Sequence, residues 1–200
     1  MSQQNNYRSI NKIAVYCGAS SGTDPSYIAQ AYRVGAFLAA QNVSIVYGGG
    51  NVGMMKAVAD GALSHDGEVI GVIPRKLIEL ELLHPKLTQH YVTESMQERK
   101  MLMIQLSEAF VALPGGFGTL EELSEVTTLT QLNYHDKPIG ILNTKGYFDP
   151  LLLWIKHASD EGFIHCSHSD LLCCSDNISD LLKQLQNKKH PSIHEQLKDI

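Results

Sequence analysis

The order of short apolar runs along the chain is the feature that most restricts its fold. Runs of about five residues, rich in Val, Ile and Ala, alternate with longer stretches of helical periodicity. Strands this continuous in apolar residues are typical of parallel sheets buried on both faces. Because parallel strands need helical crossovers, the alternation predicts an α/β protein, a single-domain, Rossmann-like, doubly wound parallel sheet with helices on both faces.

The boundaries of these elements follow from periodicity, glycine and proline positions, and cap signals. The predicted strands are residues 12–16, 43–47, 68–73, 90–93, 109–113, 138–142 and 171–174. The predicted helices are residues 26–41, 53–65, 96–106, 120–132, 150–161 and 178–185, with a short helix or lid at 75–83. We expect a domain over residues 12–185, between a flexible N-terminus (1–11) and a polar C-terminal tail (186–200).

Composition and charge exclude several classes of protein. Hydrophobic residues make up 44% of the chain and charged residues 18%, which is typical of a globular protein. The net charge of -5 and the lack of any basic cluster longer than a doublet argue against nucleic-acid partners. No apolar run is long enough to span a bilayer, and the N-terminal residues do not resemble a secretory signal.

The cysteines and histidines do not indicate a disulfide scaffold or a metal site. The four cysteines, Cys17, Cys166, Cys173 and Cys174, are too few for a disulfide-dense protein. Together with the lack of a secretory signal and of a membrane-spanning run, this predicts a cytoplasmic protein without membrane partners. His165 and His168 lie close to Cys166, but no second group of ligands accompanies them. The sequence therefore predicts no metal.

The first glycine-rich loop follows a predicted strand and precedes a predicted helix. Gly48, Gly49, Gly50 and Gly53 match the dinucleotide pattern G-x-G-x-x-G. NAD binding would also need an acidic residue at the end of the next strand. That strand has Glu68 at its start and proline at its end, so NAD is not expected.

The second loop, residues 114–119, has the sequence Pro-Gly-Gly-Phe-Gly-Thr and again separates a strand from a helix. Its glycines allow backbone N–H groups to face a ligand, and the following helix adds its positive N-terminal dipole. No Gly-Lys-Ser/Thr follows either loop, so a monophosphate is favoured over a triphosphate with magnesium. The alternative is that both loops are only tight strand-to-helix turns.

Two charged residues lie where helical periodicity predicts burial. Arg99 shares a face with Met96 and Met103, and Glu122 shares a face with Val126 and Leu129. Both stand in early turns of helices that follow strands, where α/β proteins bind ligands. A carboxylate and a guanidinium beside a phosphate site suit N-glycoside hydrolysis through an oxocarbenium-like ribosyl group. A buried structural ion pair is an equally compatible interpretation.

These residues resemble the signatures of a known family. Residues 114–122, Pro-Gly-Gly-Phe-Gly-Thr-Leu-Glu-Glu, are similar to the PGGxGTxxE motif of the LONELY GUY (LOG) family. Residues 96–100, Met-Gln-Glu-Arg-Lys, resemble its M-H-E-R-K motif, and the resemblance extends over about residues 12–185. Members of this family are cytokinin riboside 5′-monophosphate phosphoribohydrolases, often labelled lysine decarboxylases.

The resemblance implies that Arg99 and Glu122 are the catalytic pair and that no cofactor is needed. It implies cleavage of AMP-like nucleoside 5′-monophosphates to adenine, or an N6-substituted adenine, and ribose 5-phosphate. It also implies a homodimer or a larger assembly of dimers. With the glycine loops, it predicts these substrate-binding residues: Ser20, Gly48, Gly49, Gly50, Glu81, Met96, Lys100, Gly115, Gly116, Phe117, Gly118, Thr119, Leu120, Glu121 and Thr128.

Four positions depart from the family pattern, and none of them is the arginine or the glutamate. Gln97 replaces a usual His, Lys56 a usual Gly, Leu129 a common Trp and Asn133 a common Gly. A non-catalytic nucleotide or molybdopterin-type carrier on the same fold is the main alternative function. An amino-acid decarboxylase is a weaker one, because the sequence contains no convincing pyridoxal-phosphate site.

Overall fold

The computed structural model describes residues 7–80, 82–165, 168 and 170–189. The strands are β1 (Lys12–Tyr16), β2 (Ser44–Tyr47), β3 (Val69–Pro74), β4 (Gln89–Thr93), β5 (Ala109–Ala112), β6 (Ile139–Leu142) and β7 (Leu172–Ser175). The helices are α1 (Pro25–Ala40), α2 (Gly53–Leu63), α3 (Arg75–Glu79), α4 (Met96–Leu106), α5 (Phe117–Gln131), α6 (Asp149–Asp160) and α7 (Ile178–Asn187).

All seven strands form one parallel sheet in the order β4-β3-β2-β1-β5-β6-β7. The chain starts at β1, proceeds outwards to β4, and then returns to β5 on the other side of β1. This order creates a topological switch point between β1 and β5, where the carboxyl ends of the two strands leave a crevice. The predicted fold class is confirmed.

Alternation of strand side chains builds a separate core on each face of the sheet. Ile13 and Val15 of β1 pack with α1, α2 and α7, whereas Ala14 and Tyr16 pack with α4, α5 and α6. Both cores are almost entirely apolar, and burial of this kind stabilises a fold by about 25 cal/mol per Å².

Helix α5 starts three residues earlier than the sequence predicted. Its N-cap is Gly116, which has no side chain to cap the helix, so the usual start signal is absent. The prediction began the helix after Thr119 because glycine is a poor helix former. The first turn of α5 therefore includes the glycine loop itself.

The helical spacing of Leu151, Trp154 and Ile155 predicts that these residues pack together, and for Trp154 this prediction is wrong. Leu151 packs against the core, but Trp154 is 60% exposed on the outer side of α6. Met96, expected on the buried stripe of α4, is also exposed, because it is the first residue of the helix and borders an open cavity. The exposed side chains of Met96 and Trp154 thus add apolar surface to the side of the sheet that α4, α5 and α6 cover, called here the α4–α6 face.

The ends of the described chain contact the sheet domain. The backbone N–H of Arg8 donates to the carbonyl of Gln186, its guanidinium pairs with Asp136 at 2.6 Å, and Ile10 is buried. Residues 1–6 and 190–200 lie outside the described residues, so the expected domain boundaries stay predictions. None of the described helices has the length and apolarity needed to cross a membrane.

Candidate active site

A cavity of about 630 Å³ opens at the carboxyl ends of the central strands. Loops that follow β1, β2 and β5 line it, together with the first turns of α4 and α5. The loops at the switch point are joined by a hydrogen bond from the Gly18 N–H to the Pro114 carbonyl, 3.1 Å long. The cavity thus lies where parallel α/β sheets bind their ligands.

Arg99 projects from the first turn of α4 into this cavity and is 9% exposed. Ser95 caps the helix by accepting from the Glu98 N–H at 3.1 Å, as expected where a serine is followed three residues later by a glutamate. The Arg99 Nε donates to the Val72 carbonyl at 3.1 Å. A Cβ on Gly48 would lie 1.9 Å from Arg99 Nη2, so a larger residue at position 48 would displace the guanidinium from its observed position.

Glu122 lies in the second turn of α5 and is 8% exposed. Its Oε1 is 3.7 Å from Arg99 Nη1. Burial raises the pKa of the Glu122 carboxyl to about 7, even though the nearby Arg99 guanidinium lowers it. A carboxyl that ionises close to neutral pH can accept a proton from water or stabilise a developing positive charge.

The N-terminus of α5 is shaped to receive an anion. No side chain among the described residues caps this helix, so first-turn N–H groups are left for another acceptor. A Cβ on Gly115 would clash with Thr119, so this glycine is needed for the turn. A Cβ on Gly116 or Gly118 would meet nothing within 4 Å, so the protein itself does not require glycine there. The space beside these two residues suits a phosphate.

The loop of residues 48–53 has a different role. The N–H groups of Met54 and Met55, in the first turn of α2, donate to the Gly18 carbonyl at 3.1 and 3.3 Å. They are therefore engaged within the protein, unlike those at the start of α5. Gly49, with φ +75°, accepts from the His84 N–H at 2.9 Å. These contacts favour a structural role for this loop, which packs against Arg99, and make the N-terminus of α5 the better candidate for binding an anion.

The structure brings most of the predicted site residues to the cavity. Those that border it are Ser20, Gly48, Gly50, Met96, Arg99, Gly115, Gly116, Gly118, Thr119, Glu121 and Glu122. Those that do not are Gly49, Lys100, Phe117, Leu120 and Thr128. Glu81 lies outside the described residues.

The residues away from the cavity have other neighbours. Lys100 pairs with Glu121 and, at 3.2 Å, with Glu125, and the hydrogen bond to Glu121 raises the pKa of the ammonium. Thr128 donates to the Ser124 carbonyl at 2.8 Å. Phe117 and Leu120 border a separate pocket of about 320 Å³ between α5 and α6. Their predicted contact with substrate stays a prediction.

Sequence reasoning missed part of the cavity lining. Tyr27 and Tyr147 form an edge-to-face pair, with ring centroids 5.9 Å apart, near the α5 end of the cavity. The missed apolar residues are Val52, Met54, Met55, Ile73, Leu77 and Leu82. No motif marks these positions in the sequence, and only the fold shows that they face a cavity.

Cys17 also lines the cavity, although a lone cysteine at the end of a strand, with no histidine near it in the sequence, indicates only packing. It is 8% exposed, and burial raises the pKa of its thiol far above the usual range. A protonated, buried thiol packs as a small apolar group. Among the described residues, no group of three or more His, Cys, Asp or Glu could hold a metal ion, but Cys166 is not among those residues.

Comparisons with known proteins agree with the motifs. The family model described as "Possible lysine decarboxylase" matches residues 55–185. A cytokinin riboside 5′-monophosphate phosphoribohydrolase of Arabidopsis thaliana is 43% identical over 178 residues, 88% of this chain and 82% of that protein. Another from the same plant is 40% identical, over 89% of this chain and 84% of its own length.

Solved structures show the same fold at lower identity. The molybdenum cofactor binding protein of Rippkaea orientalis is 22% identical with a TM-score of 0.65, covering 86% of this chain and 93% of its own. The Moco carrier protein of Chlamydomonas reinhardtii is 20% identical with a TM-score of 0.66, covering 88% and 98%. At these identities the likeness establishes the fold alone.

Proposed function

Since this chain belongs to the LONELY GUY (LOG) family, we propose that it hydrolyses the N-glycosidic bond of adenosine 5′-monophosphates, including N6-substituted ones. The observation that carries the proposal is the buried Arg99–Glu122 pair beside an uncapped helix N-terminus in one cavity. The relatives that are 40% or more identical are named for this reaction. The products are the free base and ribose 5-phosphate.

The geometry supports a division of labour within the cavity. The phosphate binds at the α5 N-terminus, where the helix dipole and free N–H groups favour an anion. The apolar walls formed by Ile73, Leu77 and Leu82 accommodate the base. The ribose then lies between them, close to Glu122.

Glu122 and Arg99 act on the bond between ribose C1′ and the base nitrogen. As this bond breaks, the electron pair leaves with the base, and the ionised Glu122 stabilises the positive charge on the ribosyl group. The oxygen of a water molecule then adds to C1′, Glu122 accepts one water proton, and the base acquires a proton from solvent. Arg99 orients the carboxylate and keeps part of it ionised at neutral pH.

The proposal is tested by incubating the pure protein with AMP and with its N6-isopentenyl analogue and measuring the free base. Glu122→Ala should lower turnover by roughly 10² to 10⁴. Glu161→Ala, at an exposed position directly after α6 and outside the cavity, is the matched control and should retain turnover. Unchanged turnover in Glu122→Ala would refute the assigned role, and tight AMP binding without base release would favour a carrier.

We also propose that the protein is a cytoplasmic homodimer. Large exposed apolar side chains are concentrated on the helices of one face of the sheet: Met96, Met101, Phe117, Leu120, Leu132, Leu153 and Trp154. Among the described residues of the helices on the opposite face, Tyr32 is the one large apolar side chain that is exposed. A concentration of this kind favours coverage by a second chain. The free thiols of Cys17, Cys173 and Cys174 support a reducing compartment.

A further inference from the structure

Tyr147 lies in the turn between β6 and α6, and its hydroxyl donates a hydrogen bond of 2.5 Å to the Gly115 carbonyl. We propose that Tyr147 is a positioning residue: it fixes the Gly115–Gly116 peptide so that the Gly116 N–H faces the phosphate of the substrate. The proposal rests on the phosphate site inferred above. It assigns a role to a residue outside the family motifs, in a segment distant in sequence from them.

The peptide between Gly115 and Gly116 needs such a restraint. It is trans, so its C=O and N–H groups point in opposite directions, and holding one fixes the other. Glycine on both sides makes rotation of the whole peptide inexpensive, because no Cβ opposes it. Within the described residues no group accepts from the Gly116 N–H. The bond from Tyr147 is therefore the contact that selects one orientation.

The tyrosine ring is itself held in place. It meets Tyr27 edge-to-face at 5.9 Å and Phe148 edge-to-face at 5.0 Å. Edge-to-face pairs of this kind are favourable beyond the area that they bury. Two neighbouring rings thus restrict where the hydroxyl can point.

The backbone of the turn is also restrained. The Asn143 side chain accepts from the Phe148 N–H at 2.8 Å and donates to Asp149 at 2.7 Å. Lys145 forms an ion pair with Asp24, which caps α1. The turn that carries Tyr147 is therefore held by contacts on both sides of this residue. The Tyr147 hydroxyl consequently has a defined position from which it can restrain Gly115 and Gly116.

The role differs from that of the catalytic pair. Neither Arg99 nor Glu122 contacts Tyr147 through a hydrogen bond or ion pair among the described residues. Loss of the hydroxyl should therefore weaken phosphate binding and leave the bond-breaking step nearly unchanged. A purely structural role would lower stability without this selective loss.

The test is Tyr147→Phe, which keeps the ring and removes only the hydroxyl. The dissociation constant of ribose 5-phosphate, and that of AMP measured in a Glu122→Ala background where turnover is slow, should both rise by roughly three- to tenfold in calorimetry. The KM for AMP should rise by a similar factor, with kcat changed by less than about twofold. The matched control is Tyr134→Phe, a 77% exposed tyrosine in the loop after α5, which should behave as the wild type.

Each outcome separates this inference from the proposed function. Unchanged affinity for both ligands in Tyr147→Phe would overturn the inference, as would weaker AMP binding with unchanged ribose 5-phosphate binding. A lower melting temperature with unchanged affinities would assign the tyrosine to stability alone, which also overturns it. If the wild type binds AMP with this dependence on Tyr147 but releases no base, the proposed hydrolysis fails and the positioning role stands.

Discussion

At the scale of single residues, the carboxyl of Glu122 combines the properties that the reaction needs. It is buried, which raises its pKa, and it lies near a guanidinium, which limits that rise. Sequence periodicity predicted that both side chains turn inward, and their exposures of 8% and 9% agree. It did not predict the 3.7 Å distance between Arg99 Nη1 and Glu122 Oε1, which depends on how α4 and α5 are placed on their common face of the sheet.

The first prediction concerns the pH dependence of the reaction. Because the carboxylate is the active form, kcat/KM for AMP should rise with pH through an apparent pKa near 7. Arg99 lowers the pKa of Glu122, so Arg99→Gln should move this rise to higher pH, in addition to lowering the rate. The profile is measured as initial rates for both proteins.

The substrate provides an internal control for that measurement. The phosphate of AMP also ionises, with a pKa of about 6, but identically for both proteins. A rise at the same pH in wild type and Arg99→Gln would therefore contradict the assignment to Glu122.

The same ionisation has a consequence for stability. A raised pKa means that the folded protein binds the proton more tightly than the unfolded chain does, so its contribution to stability is complete below about pH 4.5 and declines towards pH 7. The wild type should thus lose stability relative to Glu122→Gln as pH rises through this window.

A second residue-scale observation explains one departure from the family pattern. Asn133, where glycine is common, has φ +59° in the left-handed region, just after the end of α5. Asparagine is the residue that best replaces glycine in that conformation. The departure therefore preserves the end of the helix and leaves the site unaffected.

At the scale of elements, the start of α5 shows where sequence rules and function disagree. A designer would place a capping side chain at position 116 and alanine at 118, whereas the chain has glycine at both. The Cβ atoms that are missing there would meet no protein atom. Gly116 and Gly118 therefore lower the stability of the first turn of α5 at the place where the phosphate is expected to bind.

This argument predicts opposite effects of Gly118→Ala on stability and binding. The residue does not have a positive φ, so alanine should stabilise the protein by about 0.5 kcal/mol. The added methyl group should occupy phosphate space and raise the KM for AMP by about tenfold or more, which corresponds to about 1.4 kcal/mol of binding. Thermal unfolding and steady-state kinetics measure the two effects.

Gly61→Ala provides the contrast. Its Cβ would lie 2.1 Å from the Tyr32 carbonyl, where α1 and α2 approach closely, so this change should destabilise the protein by roughly 1 to 3 kcal/mol. If Gly118→Ala also destabilised the protein and left KM unchanged, glycine 118 would be structural and not part of an anion site.

At the scale of the whole molecule, the two faces of the sheet differ. Helices α1, α2 and α7 cover one face, whereas α4, α5 and α6 cover the other and carry most of the exposed large apolar side chains of the described helices. Arg99 and Glu122 belong to the second group of helices. An assembly through that face would place the sites close to the interface.

The prediction at this scale is a mass of two chains by sedimentation, with an interface on the α4–α6 face. Met101→Glu and Trp154→Glu place a charge on exposed residues of that face and should shift the protein towards a monomer. Ala29→Glu places a charge on an exposed residue of α1, on the opposite face, and is the control that should leave the dimer intact. A monomeric wild type would contradict the proposal, and so would a dimer that both charges leave intact.

The sequence by itself determined the fold class, the element order, the glycine loops and the inward direction of Arg99 and Glu122. These properties depend on local patterns, namely apolar periodicity, cap residues and short motifs, which survive in one dimension. Tertiary structure alone decided which glycine loop keeps its N–H groups free. It also decided which apolar side chains face the cavity and that Tyr147 reaches Gly115. Those properties depend on which segments become neighbours at the switch point, and contacts between segments distant in the chain leave no local pattern to read.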